Sequence, residues 1–235
     1  IFSIPSIKHL CFEILVLNIK YFLYIKIMNN YRDLYWFFES KIDKKTCKKI
    51  IELHNKEQKE LGRIGTFPKQ TFKKLDKKQN KLLKEKRNSY VTFFSKDWIF
   101  KLLQPFISTA NKNSGWNFSL DRCEPVQITK YVGNKKQHYD WHCDTGVEHL
   151  ENNGKNKIRK LSIVISLSDS KNYRGGDFEF QYRSTDDPTL ITPVPILKNQ
   201  GTVVVFPSYI WHRVKPVTEG VRYSLVAWVR GKKFK

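Results

Sequence analysis

The chain has 235 residues, of which 40% are hydrophobic and 28% charged, and its formal net charge is +21. A chain of this length can bury a substantial core. Its four cysteines have no paired spacing, which argues against a disulfide framework or a cysteine zinc site. This cysteine usage favours a reducing, cytoplasmic location. The charge permits a nucleic-acid partner, but lysine is spread along most of the chain and the dense basic stretch at 69–87 is poor in aromatic residues, so nucleic acid is not the favoured substrate.

The N-terminal stretch, residues 4–27, is apolar but does not predict a membrane span. Three charged residues interrupt it, and a spanning helix needs about 20 residues with few or no charges; these residues are Glu13, Lys20 and Lys26. The only methionine is Met28, which we expect to be the authentic start, leaving residues 1–27 as a doubtful upstream segment. The alternative is an amphipathic helix that lies on the domain or on a membrane surface.

Two helices are predicted in the first half of the chain. Apolar residues fall at helical spacing from Asp33 to Glu60, and Trp98 to Ala110 has helical character as well. Between them, the lysine-rich residues 69–87 predict a solvated loop or a loose helix. We therefore expect residues 28–115 to form a helical N-terminal part that packs on a catalytic domain at 116–235.

The sequence after Asn117 is typical of short strands. Leu161–Leu167 is a run rich in β-branched residues, and Tyr173–Asp177 has the glycines of a turn before the alternating Phe178–Phe180. Gly201–Ser208 predicts a buried strand that closes at a proline. A mainly β fold with flanking helices follows.

Two histidines and one aspartate in these strands can serve as metal ligands. In an extended strand alternate side chains share a face, so His142 and Asp144 point the same way, and His212 follows the buried strand that returns from further along the chain. Two imidazoles and a carboxylate form the facial triad of non-haem iron(II) sites, which leaves coordination positions open for substrates.

The same alternation leaves a second pair of candidate ligands. His138 and Asp140 form another H-x-D pair and would share the face of His142, so the spacing alone does not choose between the two pairs. Each ligand also has a purely structural explanation, since strand histidines are often hydrogen-bonded core residues and Asp144 could cap the turn that follows it.

Beyond His212 we expect two strands joined by a turn near Thr218–Gly220, which would fold Arg222 and Ser224 back beside the His212 strand. Arg222 and Ser224 are two residues apart and so share a face. A guanidinium offers a planar fork to a carboxylate, and the serine hydroxyl can add a hydrogen bond. A surface ion pair is the alternative role for the arginine.

Five motifs follow one another in order: Tyr131-Val132-Gly133, Tyr139 through Asp144, Tyr173 through Asp177, His212, and Arg222-Tyr223-Ser224. In this arrangement the chain resembles the iron(II)/2-oxoglutarate dioxygenases, and within them the prolyl 4-hydroxylase-like branch with its PKHD-type and phage-type members. The match spans roughly Asp121 to Gly231, and Trp36–Leu53 is similar to the leading helix of such proteins. Collagen-type prolyl hydroxylases usually carry lysine where Arg222 stands, so a collagen-like substrate is not implied.

The resemblance implies a double-stranded β-helix, or jelly-roll, and a role for each residue. His142, Asp144 and His212 would bind Fe(2+), while Arg222, Ser224 and Tyr131 would bind 2-oxoglutarate. Dioxygen would be the second cosubstrate and L-ascorbate a reductant.

The expected activity is hydroxylation of a C–H bond with release of succinate and CO2, most naturally on a prolyl residue of a protein or peptide. The alternatives are an oxidative demethylase or hydroxylase acting on nucleic acid or a small metabolite, a non-catalytic jelly-roll binding module, and a zinc hydrolase that uses the same three ligands. The sequence does not predict an oligomeric state.

Overall fold

The computed structural model describes residues 34–57, 60–61, 81, 84–145, 157–181 and 190–233. The first part of this range contains four short strands and two helices: β1 (Trp36–Phe38), α1 (Lys44–Lys56), β2 (Glu60–Leu61), β3 (Arg87–Asn88), β4 (Tyr90–Phe94) and α2 (Asp97–Asn113). The remainder is built of strands: β5 (Val126–Val132), β6 (His138–His142), β7 (Lys157–Ser166), β8 (Tyr173–Gly175), β9 (Phe178–Gln181), β10 (Ile191–Pro193), β11 (Val203–Pro207), β12 (Trp211–Val214) and β13 (Val217–Lys232).

The strands form two antiparallel sheets. The eight-stranded sheet has the order β1-β11-β7-β13-β5-β4-β2, with β8 paired to β13, and the five-stranded sheet has the order β10-β9-β12-β6-β3. The two sheets pack against each other through a buried cluster that includes Val164 and Phe206 from the large sheet and Phe178 and Phe180 from the small one. The predicted mainly β fold with a double-stranded β-helix core is confirmed.

The other face of the large sheet is covered by the two helices. Ile50 of α1 and Ile99 and Leu103 of α2 are fully buried in one cluster with Ile163 and Val205 of the sheet. Alternate residues of β7 and β11 therefore enter two different cores, which explains why these strands are apolar on both faces. Because the helices cover one face of the large sheet and the small sheet covers the other, a ligand-binding site can form between the two sheets.

The predicted helix from Asp33 to Glu60 is wrong at its start. Trp36–Phe38 is a strand that pairs with Val203–Val205 of β11, and the helix begins only at Lys44, where the Asp43 carboxylate accepts the Thr46 N–H at 2.9 Å as an N-cap. Strand pairing at the sheet edge has outweighed the helical spacing of the apolar residues. The helix predicted at Trp98–Ala110 is confirmed, within α2.

The predicted turn near Thr218–Gly220 is also wrong. Val217–Lys232 is one continuous strand, and its register against β8 shifts between Val217 and Glu219, which marks a bulge. Gly220 has φ +66°, and a Cβ there would lie 2.0 Å from the Asn172 carbonyl oxygen, so the glycine permits close approach of two backbones within a strand.

The expectations for residues 1–27 and for most of 69–87 lie outside the described residues. Among the residues that the structure describes, no helix is long and apolar enough to cross a membrane.

Candidate metal and carboxylate site

The structure brings His142, Asp144 and His212 together between the sheets. His142 ends β6 and lies opposite His212 of β12 in the strand register, and Asp144 follows two residues later in a bend. One ligand atom from each residue lies within 4.8 Å of the others. Asp144 and His212 are buried and His142 is partly so. Convergence of three such donors at a buried point is what a metal centre requires.

A bulge in β6 decides which side chains face this point. Opposite β12, His142 pairs with His212 but Tyr139 pairs with Val214, so three steps along β6 match two along β12. Tyr139 and His142 therefore share the inner face. The expectation that His138, Asp140 and His142 all point one way is wrong, because the alternation is broken by one residue.

The side chains of the competing pair, His138 and Asp140, contact groups outside the metal-ligand cluster. The two ring nitrogens of His138 lie 3.0 Å from the Lys136 carbonyl oxygen and 2.9 Å from the Glu85 carbonyl oxygen. Asp140 forms an ion pair with Lys86 at 2.9 Å. Neither side chain joins the cluster.

Backbone carbonyls fix the orientation of both histidine rings at the cluster. The Nδ1 atom of His142 lies 2.8 Å from the Asp140 carbonyl oxygen, and that of His212 lies 2.9 Å from the Ile210 carbonyl oxygen. A carbonyl only accepts, so each Nδ1 carries the proton and each Nε2 presents its lone pair. Both Nε2 atoms lie toward Asp144, at 3.9 Å and 3.6 Å from its carboxylate oxygens.

The protonation states of these groups suit a cation. Burial lowers the pKa of His142 well below 6.5, and the neighbouring His212 lowers it further, so the ring is neutral at neutral pH. Burial alone would raise the pKa of the Asp144 carboxyl, but His212, His142 and Arg159 together with the Ser162 hydroxyl outweigh it and hold this pKa at about 2. One carboxylate and two imidazole rings form a donor set that fits iron(II).

Two buried serines support the aspartate. The Ser162 hydroxyl donates to Oδ2 of Asp144 at 2.6 Å and lies 2.9 Å from the Ser208 hydroxyl. The backbone N–H groups of Asp144 and Thr145 both donate to the Ser208 carbonyl oxygen, at 2.9 and 3.1 Å. Sequence reasoning missed both serines, although alternation along β7 places Ser162 on the same face as the buried Val164.

Tyr139 and Arg87 are two more residues that the sequence did not assign to the site. The Tyr139 ring stacks on His142 with centroids 3.4 Å apart and planes 13° apart, and the Arg87 guanidinium lies 4.3 Å from the centroid of the Tyr139 ring. Burial raises the pKa of Tyr139, so the phenol is neutral. The bulge that places Tyr139 inward has no evident signal in the sequence.

Arg222, Ser224 and Tyr131 lie in the opposite sheet from the histidines. Arg222 of β13 pairs with Tyr131 of β5, so the expectation that Arg222 lies beside the His212 strand is wrong, because β13 and β12 belong to different sheets. Arg222 is 1% exposed, its Nη1 donates to the Ser224 hydroxyl at 3.4 Å, and its guanidinium lies 5.5 Å from the Tyr131 ring centroid. Burial raises the pKa of the Tyr131 phenol.

Arg222 forms no ion pair within the described part of the chain, although its charge contributes to lowering the pKa of Asp177. Burying an unpaired guanidinium is costly, and the cost is offset when an anion binds. This residue therefore fits the carboxylate of a dicarboxylic cosubstrate.

A cavity of about 250 Å³ adjoins Arg222. It does not reach the His142, Asp144 and His212 cluster, and its wall comes from β9, the end of β10 and the segment after it; it is lined by Gly176, Asp177, Phe178, Glu179, Pro193, Val194, Pro195, Leu197, Lys198 and Arg222. Phe178 connects the two regions, because it lines this cavity and its ring stacks 5.6 Å from His212.

Residues 126–230 match the model of the 2OG-Fe(II) oxygenase superfamily, and this span contains the three clustered ligands and Arg222. Over these residues the chain is similar to that superfamily. Among its curated relatives are two PKHD-type hydroxylases. The one from Synechococcus sp. (strain CC9311) is 29% identical over 119 residues, which are 48% of each chain. The one from Pseudoalteromonas atlantica is 30% identical over 105 residues, or 45% of this chain and 42% of the relative.

The chain spans less than half the length of these curated relatives. Solved structures share the oxygenase fold over more of it. A Pseudomonas putida prolyl-4-hydroxylase aligns with TM-score 0.57 at 15% identity, covering 85% of this chain and 94% of that one. A viral collagen prolyl hydroxylase from Paramecium Bursaria Chlorella virus-1, solved as a 2OG complex, aligns with TM-score 0.55 at 20% identity, covering 84% and 96%.

Proposed function

We propose that this protein is an iron(II)- and 2-oxoglutarate-dependent hydroxylase that acts on a prolyl residue of a protein or peptide. The observation that carries the proposal is a pair of complementary sites between the two sheets. Three candidate metal ligands have donor atoms within 4.8 Å of one another on one side, and a buried arginine that forms no ion pair among the described residues lies on the other. A metal and a dicarboxylate are the two ligands that this pair of sites accommodates.

His142, Asp144 and His212 would hold the ion, and their donor set leaves open positions for other ligands. The cofactor and cosubstrates supply the oxidising chemistry, with 2-oxoglutarate converted to succinate and CO2 as a substrate carbon is hydroxylated. The carbonyl contacts at Nδ1 keep both imidazoles in the tautomer that binds metal, without rearrangement.

Arg222 and Ser224 would hold the far carboxylate of 2-oxoglutarate, with Tyr131 beside them. Arg222 already donates to Ser224, so the two groups are oriented before the ligand arrives. The guanidinium lies in a buried setting where a charge-assisted hydrogen bond is strong. L-ascorbate as a reductant belongs to the same proposal.

The prolyl substrate is supported by likeness to named proteins. The curated relatives are PKHD-type hydroxylases, and one solved neighbour, at TM-score 0.55 and 13% identity, is a prolyl hydroxylase in complex with a hypoxia inducible factor peptide fragment from Trichoplax adhaerens. We propose residues 116–235 as the catalytic domain and 28–115 as the part that packs on it through its two helices and adds strands to both sheets. A cytoplasmic location is supported by Cys47 and Cys123, which form no disulfide within the described part of the chain.

Anaerobic titration of the full chain with iron(II) and then with 2-oxoglutarate tests the cofactor assignment. We expect a weak visible charge-transfer band that requires both ligands and is absent from Asp144→Ala. Metal binding without any such band would contradict the oxygenase and favour a hydrolytic or non-catalytic metal site.

Succinate release in the presence of candidate substrates tests the substrate class. Proline-containing peptide pools, single-stranded nucleic acid carrying alkylated bases, and free amino acids form three separate arms, and mass spectrometry locates any added oxygen. Oxygen on a prolyl residue is expected. Turnover only in the nucleic-acid or small-molecule arm would replace the prolyl assignment and leave the oxygenase assignment intact.

A further inference from the structure

The carboxylate of Asp144 has two oxygens in different surroundings. Oδ2 accepts the Ser162 hydroxyl at 2.6 Å, whereas no hydrogen bond to Oδ1 occurs within the described residues. In this contact the Ser162 hydroxyl is the donor and the carboxylate oxygen is the acceptor.

The direction of the second hydrogen bond follows. The only hydroxyl hydrogen of Ser162 is used toward Asp144, so the Ser208 hydroxyl must donate to the Ser162 oxygen across their 2.9 Å separation. Both serines are 0% exposed, so water does not compete for these bonds. The result is a buried chain of hydroxyls, Ser208 to Ser162 to Asp144, in which each bond strengthens the next.

The backbone ties the same residues together. The Ser208 carbonyl oxygen accepts the N–H groups of Asp144 and Thr145, and the Ser208 N–H donates to the Lys160 carbonyl oxygen at 2.9 Å. Ser162 lies within β7, where Leu161 and Ser162 pair with the end of β11. Ser162 thus belongs to the large sheet and Ser208 follows β11 of that sheet, whereas Asp144, to which Ser162 donates, follows β6 of the small sheet.

We propose that the Ser208–Ser162 hydroxyl chain, through its hydrogen bond to Oδ2, fixes the rotation of the Asp144 carboxylate and keeps it from turning to bind a metal through both oxygens. This inference rests on the proposed function. A carboxylate that bound iron through both oxygens would fill an additional coordination position, and 2-oxoglutarate with dioxygen needs every position that the facial triad leaves open. Ser162 and Ser208 are then positioning residues that preserve room for the cosubstrates.

The test compares Ser162→Ala, Ser208→Ala and a matched control, Ser114→Ala. Ser114 also has a buried hydroxyl, which has no hydrogen-bond partner in the described part of the chain, and it lies at the end of α2 in the N-terminal part. Each full-length variant is titrated anaerobically with iron(II), and the loaded protein is then titrated with 2-oxoglutarate while the visible band is recorded. Thermal melting of the metal-free protein monitors folding.

For Ser162→Ala we expect the Kd for 2-oxoglutarate to rise by about tenfold or more and the band to shift, because the carboxylate is then free to turn and bind the metal through both oxygens. The Kd for iron(II) should change by a smaller factor. Ser208→Ala should alter the 2-oxoglutarate Kd in the same direction by about threefold, since Ser162 still donates but loses its own donor. Ser114→Ala should change neither constant.

Two results would overturn the inference. One is a Ser162→Ala protein whose 2-oxoglutarate Kd and band position stay within about twofold of wild type. The other is an equal loss of metal and cosubstrate affinity, which indicates general damage to the site. If Ser162→Ala does not fold, Ser208→Ala decides by the same comparison. Failure of the wild-type protein to bind iron(II) and 2-oxoglutarate would instead contradict the proposed function itself.

Discussion

The two sheets contribute different chemistry to the space between them. The five-stranded sheet carries His142 and His212, whose rings each contact a backbone carbonyl two residues earlier in the chain, whereas the eight-stranded sheet carries Arg222 and Ser224, which interact with each other. On the metal side, formed by His142, Asp144 and His212, each side chain has hydrogen-bond partners within the protein. On the arginine side, formed by Arg222 and Ser224, the buried guanidinium forms no ion pair with the described residues. The contrast suggests that the metal side is organised in advance, while the arginine side gains most from its ligand.

The largest expected effect comes from removing the carboxylate of the metal side. Asp144→Ala should raise the Kd for iron(II) by more than about 100-fold, because it removes a direct ligand, and changes around a ligand alone cost 10–100-fold. Isothermal titration with Mn(II), which resists oxidation in air, measures the change.

Asp140→Ala is the matched control for this prediction. Asp140 belongs to the other H-x-D pair, and its carboxylate is bound to Lys86 at 2.9 Å. Its removal should leave the metal Kd within about twofold of wild type, as expected for the loss of a partly exposed ion pair. A loss of metal binding in Asp140→Ala equal to that in Asp144→Ala would contradict the register set by the β6 bulge.

The next largest effect comes from the arginine side. Arg222→Met should raise the Kd of the iron-loaded protein for 2-oxoglutarate by roughly 10–150-fold, which corresponds to loss of a charged hydrogen-bonded contact. Metal affinity should not change. Because the substitution removes a buried charge that lacks a counterion among the described residues, the metal-free, cosubstrate-free protein should melt at the same temperature or higher.

Arg213→Met provides the comparison for Arg222→Met. Arg213 pairs with Glu179 at 2.7 Å, so its loss should lower the melting temperature slightly and leave 2-oxoglutarate binding intact. A lower melting temperature for metal-free Arg222→Met than for Arg213→Met would show that Arg222 stabilises the fold, and would contradict the difference proposed between the two sheets.

A smaller effect on 2-oxoglutarate binding is expected from a substitution at Gly176, whose backbone lies close to the Arg222 side chain. A Cβ at Gly176 would lie 2.9 Å from Cδ of Arg222 and 2.9 Å from Cγ2 of Val217, so Gly176→Ala should displace the arginine and weaken 2-oxoglutarate binding by about fivefold. Gly115 is the control, since its φ of +68° nearly equals the +67° of Gly176 but nothing lies within 4 Å of its Cβ position.

Both alanine variants should lose stability from the left-handed backbone, about 1–2 kcal/mol each. Only Gly176→Ala should change the cosubstrate Kd, which the visible titration measures. Equal Kd values for the two variants would show that Arg222 tolerates the added methyl group, and that the arginine side is less constrained than the structure indicates.

Much of this architecture could be predicted from the sequence, and the errors share a cause. The β-branched runs at β7 and β11 and the amphipathic α2 were predicted because their patterns are local. The strand at Trp36–Phe38 and the continuous β13 were missed because pairing with distant strands decides them. The ligands were predicted by residue type and family resemblance, but the bulge that turns Tyr139 inward, and with it the exclusion of His138, depends on register between β6 and β12.

The smallest expected effect concerns the ring that rests on His142. Tyr139→Leu removes an aromatic partner at 3.4 Å and should raise the metal Kd by about 2–13-fold, the equivalent of an aromatic contact worth 0.5–1.5 kcal/mol. Tyr139→Phe keeps the ring and should bind Mn(II) as wild type does. If Tyr139→Phe instead loses as much affinity as Tyr139→Leu, the hydroxyl is what matters, and His142 is oriented by its Asp140 carbonyl contact alone. The order of the two variants therefore decides whether the metal side is organised by stacking as well as by hydrogen bonds.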